Sequence, residues 1–577
     1  MFFAAKWKVH HNSNRLGIRL IGPKPKWARK DGGEAGLHPS NIHDCEYAIG
    51  AVNFTGDMPI ILNCDGPSLG GFVCPATIIQ SEMWKIGQLS ANDTVRFRRV
   101  SYEQALAAKH DQFQYLEKIR YGAKKNLNIN FGLTNKVQKT LLFDKTKSRY
   151  HDAILHTIVA NSIGNNPKVV YRAAGDNYLL IEYGDLVLDL NLRFRVHLLM
   201  EWFKKHPTAG IIELSPGVRS LQVHYDSSKL HLHRLLKILS LAETKLPDIN
   251  EATIPSRIIK LPFAFDDQWN KEAIEKYSKS IKSVAPYLPS NIDFIARING
   301  LENNDQVRDI ITSANYLVLG LGDVYLGAPC AVPLDPRHRL VTSKYNPART
   351  YTPEGSVGIG GVYMCIYGMD SPGGYQLVGR TLPIWNKFTN NPCFEQGKPW
   401  LLRFFDQVQY YQVSDDELQE MRQKFASGTL KIEIEETEIK PREINQFLAS
   451  ISSEVKEFKR QQNIAFEKER KHWEDSGMIG GEDQDLDQGQ LETTEVQIPA
   501  GCFAIRANAG GSVWEILVAE KDEIQKDQPV IILEAMKTEI KIDTHLRGVI
   551  EKILVKKGQL MNQGEVLFIA KSNTINP

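Results

Sequence analysis

One strand–turn–strand unit is written twice near the end of this chain, and that repetition constrains the fold more than any other feature. The first copy reads Gly511-Ser-Val-Trp-Glu-Ile-Leu-Val518 and the second Gly548-Val-Ile-Glu-Lys-Ile-Leu-Val555. The match continues, after a one-residue slip, through DEIQKDQPVIILEA and GQLMNQGEVLFIA. Two copies of one such unit predict a flattened β barrel with pseudo-twofold symmetry. At the joint lies Glu534-Ala535-Met536-Lys537-Thr538-Glu539, flanked by alternating runs, PVIIL before and EIKID after. Period-2 alternation marks half-buried strands, so Lys537 is expected at an exposed hairpin tip.

The rest of the chain is long enough for several further domains, since 577 residues at roughly 100–200 per domain give about three to five. Lys and Arg number 70 against 68 Asp and Glu, a net charge of +2, which predicts no nucleic-acid partner and no solvating acidic tail. No apolar run approaches the roughly 18–20 residues of a membrane-spanning helix. The opening MFFAAKWKVHH is interrupted by Lys6 and Lys8, too early for a secretory core. Seven cysteines, at 45, 64, 74, 330, 365, 393 and 502, are scattered and never form C-x-x-C. That usage predicts reduced thiols in a cytoplasmic protein without a zinc site, and the lack of a long apolar run predicts no membrane partner.

Composition divides the chain into six parts. Residues 1–102 read as short strands joined by Gly-rich turns such as Ser68-Leu69-Gly70-Gly71-Phe72, with clear strand pattern from Gly17. Residues 103–165 form a connector whose first part, 103–127, has a helical rhythm. Residues 166–386 begin with predicted strands (VVYRAAGDNYLLIEYG and LVLDLNL) and helices at 191–206, 228–242 and 270–284. From 315 to 386, short apolar runs between Gly and Pro predict an all-β half. Residues 387–474 turn charged and are expected to be a helical extension, a solvated face or a strut. Residues 475–497 are an acidic linker: from Glu474 to Glu495 there are eight acidic residues and no basic ones, too polar to order itself. Residues 498–573 are the repeated domain.

These residues carry a resemblance. Residues 498–571, with Glu534-Ala-Met-Lys537, resemble the biotinyl carrier domain of biotin-dependent carboxylases. The resemblance implies covalent biotin on Lys537, placed there by a biotin ligase, and Met536 favours biotin over lipoate. The block Leu319-Gly-Leu-Gly-Asp-Val-Tyr-Leu-Gly-Ala-Pro329, with DPRHRL, KYNPART, GIGGVYMCIYGM and SPGGYQLVGRT, resembles allophanate-hydrolase subunit 1-type domains. GIRLIGP, AIGAVNFTGDMPIILNCDGPSLGGF and WKIGQLSANDTVRF resemble the C-terminal half of the subunit 2 type. Both types stand fused ahead of a biotin carrier in the urea carboxylase family. The implied fold is multidomain and mainly β with some α: a partial β domain, an α+β domain with a cyclophilin-like β half, and the flattened barrel. The resemblance also implies that the subunit 2-type domain is entered halfway.

The implied activity is transfer of CO2 from biotin on Lys537 to urea, giving allophanate for an allophanate hydrolase. ATP would enter only through a biotin carboxylase domain or subunit, which nothing in this sequence resembles. GLGDVYLG lacks the third glycine of a dinucleotide loop, and GIGG lacks the G-K-[ST] of a phosphate loop. No Ser-His-Asp or Cys-His signature is present, and the implied transfer needs none. It needs a dry pocket with acceptors for urea N–H groups and donors for its carbonyl oxygen. Asp323 and Asn53 are the candidates for holding urea, and Arg337, His338 and Arg349 for the departing carboxylate or the biotin carbonyl. Asp65, Tyr325, Gly373, Gly374 and Tyr375 are further candidate substrate contacts, although Asn53 and Asp65 could equally cap turns. Two alternatives remain at this level: a non-catalytic biotinylated scaffold from a degenerate fragment, and a 5-oxoprolinase-like component.

Overall fold

A computed structural model of the chain describes residues 2–10, 13, 15–125, 152–160, 166–322, 327–346, 348–389, 391–476, 498–508, 511–535, 538–561 and 564–572. The first hundred residues build a six-stranded sheet, in the order 76–77, 51–55, 58–62, 17–21, 7–9, 94–95. One of its fully buried side chains belongs to a strand the sequence pattern did not reveal, Trp7–Val9. Trp7 is fully buried, and Lys8, which interrupts the apolar run, points outward. Three residues are too few for alternation to register. A separate hairpin, Asn41–Glu46 with Leu69–Phe72, pairs Cys45 with Gly70 and Glu46 with Leu69. It stands against the neighbouring domains: Val218 N–H donates to the Asp44 carbonyl at 2.8 Å.

Helix Tyr102–Lys124 starts on a capping box between Ser101 and Gln104, in which each side chain satisfies an orphan backbone N–H. The connector residues 126–151 lie outside the described residues. Beyond them a five-stranded antiparallel sheet runs 211–216, 220–225, 178–183, 169–173, 154–158. Helices Leu190–Lys205 and Leu232–Glu243 cover it, and Leu179, Ile181, Leu199, Leu221, Leu235 and Leu239 form its fully buried core. The run LVLDLNL, expected as a strand, is not one. Asp189 accepts from the Asn191 N–H and caps the helix, so Leu190 and Leu192 enter its buried face while Val187 lies exposed.

The third domain is an eight-stranded sheet ordered 376–380, 356–360, 363–366, 329–333, 315–321, 407–412, 254–265, 434–439. Strand Gln376–Arg380 also pairs with Ile254–Phe265, which closes the sheet into a barrel around Leu261, Val318, Ala331, Val357, Ile366 and Val408. Residues 387–474 are therefore no mere helical extension. Gln407–Gln412 runs parallel to Ile254–Phe265 inside the barrel wall, and Ile434–Ile439 pairs with its other edge. The helix Ser452–Asp475 is the expected strut. Lys459 Nζ lies 2.7 Å from Glu34 in the first domain, and Gln462 Nε2 donates to Asn299 at 2.7 Å and to the Arg339 carbonyl at 3.0 Å in the barrel.

The repeated domain has the predicted symmetry. One four-stranded sheet runs 502–506, 566–572, 548–553, 523–524 and the other 538–543, 529–535, 511–516, 560–561, so each strand of one has a counterpart at the same place in the other. Gly511–Ile516 and Gly548–Ile553 also share one burial pattern along their length. Residues 477–497, which hold most of the acidic linker, lie outside the described residues.

Candidate active site

The hairpin of the first domain and one rim of the barrel meet along a seam, and two glycines allow the approach. A Cβ on Gly71 would stand 2.5 Å from Asp44 Oδ1, 2.8 Å from the Ile42 carbonyl and 3.1 Å from Lys344 Nζ. Only a bare backbone fits there, and it leaves the Asp44 carboxylate and the Lys344 ammonium less than about 6 Å apart across it. Across the seam Gly322, at φ +98°, would bring a Cβ within 2.8 Å of Ser68 Oγ. Gly322 directly follows strand Asn315–Leu321, so the barrel meets Ser68 where the first strand of GLGDVYLG runs out.

Lys344 is held by aromatic faces. Its Nζ lies 5.0 Å from the Phe72 ring centre and 5.2 Å from that of Tyr375, one ring from each domain. Such contacts attract a cation without consuming its N–H donors. Tyr375 in turn lies against Gly358 and Gly360, which explains GIGG as a packing surface for an aromatic ring. Below Asp44, His43 Nδ1 hydrogen-bonds the Tyr363 hydroxyl. Burial holds the His43 pKa down at about 4 and pushes the Tyr363 phenol well up, so both stay neutral near pH 7. Burial in low dielectric disfavours a charged form.

Two buried ionisable groups brace the seam. Glu46 accepts from Ser220 Oγ at 2.7 Å and from the Gln222 N–H at 3.1 Å, and burial raises its pKa to about 7. Arg193, fully buried, donates from Nε to the Leu319 carbonyl at 2.6 Å and lies 4.5 Å from the Phe405 ring centre. Desolvation lowers its pKa to about 9. Arg193 thus fixes the carbonyl that leads into Gly320-Leu321-Gly322.

Several residues singled out in the sequence come together here. Tyr375 packs under Lys344, and the Gly374 carbonyl accepts the Tyr345 N–H at 2.6 Å, next to Lys344 in the chain. Gly373 pairs with Arg349 in a two-stranded ladder. Arg349 is buried, and its guanidinium donates to the Tyr375 carbonyl at 2.7 Å and to Thr352 Oγ1 at 3.3 Å. Each of its three nitrogens donates to the protein, so it shapes the strand behind Tyr375. Asp323 and Tyr325 lie outside the described residues, as do Met536 and Lys537. The strands flanking that last pair are in register up to Ala535↔Thr538.

Others are not at the seam. Asn53 sits mid-strand in the six-stranded sheet, buried, its Oδ1 accepting from Thr55 Oγ1 at 2.8 Å. Asp65 is exposed and faces Arg15 at 3.4 Å. Arg337 is tied to Asp335 at 2.6 Å and to Glu454 of the strut helix. His338 shares that short turn, its pKa lowered by burial. Arg337 serves the strut contact, and His338 Nδ1 is buried without a hydrogen-bond partner among the described residues. Sequence reading missed His43, Asp44, Lys344 and Tyr363, although Lys344 stands in KYNPART and faces SLGGF, expected as a turn and found as the strand Leu69–Phe72.

The seam therefore offers an acidic acceptor and a cationic donor on either side of a bare backbone. That set suits a small polar molecule with both N–H and C=O groups. Among the described residues no group of three His, Cys, Asp or Glu side chains could hold a metal ion. No described helix is long and apolar enough to cross a membrane.

Comparison with known proteins places the domains. Family models match at residues 1–99 (carboxyltransferase domain, subdomain A and B), 169–395 (carboxyltransferase domain, subdomain C and D) and 495–569 (biotin-requiring enzyme). The urea amidolyase of Lachancea kluyveri is 43% identical over 570 residues, 98% of this chain and 30% of that protein. The crystal structure of Kluyveromyces lactis urea carboxylase is 42% identical with a TM-score of 0.82, over 99% of this chain and 48% of that one. A biotin/lipoyl attachment protein of Bacillus subtilis is 38% identical over 72 residues, 12% of this chain and 99% of its own length. The chain thus spans less than a third of the amidolyase and about half of the carboxylase.

Proposed function

Because the chain belongs to the urea carboxylase family, with that family's carboxyltransferase domains and biotin carrier, we propose that it transfers CO2 from biotin on Lys537 to urea, forming allophanate. The observation that carries this reading is the seam itself. Asp44 and Lys344 flank Gly71, an acceptor and a donor of the kinds that the N–H groups and the carbonyl oxygen of urea call for. Biotin fits the carrier, where the hairpin strands stay paired to Ala535↔Thr538 on either side of Met536 and Lys537. When bound there it supplies the carboxyl carbon and takes up the proton that urea gives up.

Asp44 accepts from urea N–H groups, and Lys344 donates to the urea carbonyl oxygen or to the carboxylate being passed on. A charged partner in a desolvated site strengthens both interactions. Asp323, next in the chain to Gly322, supplies a second acceptor. Carboxylation of the biotin is assigned to a biotin carboxylase domain or subunit, attachment of biotin to a biotin ligase, and use of the product to an allophanate hydrolase. The seven cysteines, none of them in a disulfide, fit the cytoplasm.

Co-expression with a biotin ligase tests the first half of this reading. The chain should gain one biotin mass, and Lys537→Arg should abolish the gain. Lipoate in place of biotin, or biotin on another lysine, would refute it.

A further inference from the structure

The two copies in the carrier domain agree in fold and burial, and among the outward positions where they differ one places an aromatic against a charge. The fourth residue of the first copy is Trp514, and that of the second is Glu551. The inward neighbour Val513 is 1% exposed, whereas Trp514 is 37% exposed. A symmetric barrel does not require a large aromatic on one outer face only, so the asymmetry points to recognition. Trp514 also lies in the sheet that bears the attachment hairpin. Its neighbour Ser512 pairs with Glu534, three residues before Lys537.

On the other side stands Lys276, on the outer face of helix Gln268–Ser280. Its Nζ lies 5.1 Å from the Trp514 ring centre and 5.5 Å from that of Tyr351, so one cation bridges carrier and barrel. Lys557 of the carrier approaches the same indole at 5.9 Å. Tyr351 belongs to strand Arg349–Thr352, which pairs with Ser371–Gly373. The next residues, Gly374 and Tyr375, adjoin Lys344. The contact therefore sits on the strand pair that leads into the seam.

We infer that Lys276 and Tyr351 form a docking surface for the chain's own carrier domain, with Trp514 as the carrier residue they recognise. The inference rests on the transfer reading proposed above. Docking by Trp514 holds the carrier by the sheet that bears Lys537, beside the site its cargo must enter. A single cation–π contact at an exposed site is weak, and a tethered carrier needs no more, because the tether already supplies a high effective concentration. A weak grip also lets the carrier leave after each transfer.

The experiment uses the full-length biotinylated chain and two carboxyl donors, its own carrier charged by a biotin carboxylase in trans and free N-carboxybiotin. Trp514→Ala and Lys276→Ala should each slow urea-dependent transfer from the carrier about two- to fivefold, leave transfer from the free donor unchanged, and leave biotinylation intact. Lys276→Arg, which keeps the cation, should retain the wild-type rate. Independently, the Lys276→Cys, Trp514→Cys double variant should be joined by a short bismaleimide more efficiently than the Lys276→Cys, Glu551→Cys pair. Wild-type carrier rates in both alanine variants, or equal cross-linking of the two pairs, would overturn the dock. Absence of urea-dependent transfer in the wild type would instead refute the transfer reading, and cross-linking would still decide the dock.

Discussion

Replacing Glu46 by Gln should stabilise the chain above pH 7, although it removes a hydrogen-bonded carboxylate. Unfolded, Glu46 ionises near its ordinary 4.5, whereas burial in the folded seam holds the proton until about 7. Between those values the folded chain keeps a proton that the unfolded chain has released. Stability therefore falls as pH rises through this window. A gap of about 2.5 units at about 1.36 kcal/mol each amounts to about 3 kcal/mol, a penalty absent below pH 4.5 and complete above pH 7. Gln has the same shape, carries no charge, and keeps an oxygen to accept from Ser220 or Gln222. Urea denaturation of wild type and Glu46→Gln at several pH values measures the difference directly. The two should match within about 1 kcal/mol near pH 4.5, with the variant ahead by up to about 3 kcal/mol at pH 8. A difference that does not change with pH, or a variant less stable at pH 8, would refute the buried-carboxylate reasoning.

Three further outcomes follow from the seam. Lys344→Ala and Asp44→Asn should each slow carboxyl transfer to urea roughly tenfold to a hundredfold, the loss of a charged hydrogen bond worth about 1.5–3 kcal/mol. Wild-type rates in either would remove that residue from the site. Gly71→Ala sets a Cβ 2.8 Å from the Ile42 carbonyl and 2.5 Å from Asp44 Oδ1. It should cost about 1–3 kcal/mol of stability on denaturation and suppress transfer without affecting biotinylation; unchanged transfer would mean that the bare backbone is not needed. Asp323→Ala should slow transfer more than Asn53→Ala, since Asn53 is buried in a different sheet, and the reverse order would place the site elsewhere.

The carrier domain was legible because its repeat is local, with a single one-residue slip, and the copies bury the same positions. The barrel half was legible because Gly and Pro punctuate its short strands. Strand Ile434–Ile439 was not, because its glutamates face water at a sheet edge and resemble the charged helices around it. The seam was least legible. Asp44 and Lys344 are separated by hundreds of residues and meet only when the hairpin docks on the barrel, and neither carries a local pattern. Charged motif residues drew notice instead, yet Arg349 and Arg337 spend their charge on Tyr375, Asp335 and Glu454. A motif shows which residues belong together, and only burial and partners show which are left to act on a substrate.

The most direct test charges the biotinylated full-length chain with labelled bicarbonate through a biotin carboxylase in trans, removes that enzyme and ATP, and follows the label after adding urea. Label should pass from the carrier to allophanate at a rate that rises with urea concentration, and a Lys537→Arg chain should carry none. Loss of label from the carrier at a rate independent of urea, with no allophanate formed, would contradict the account.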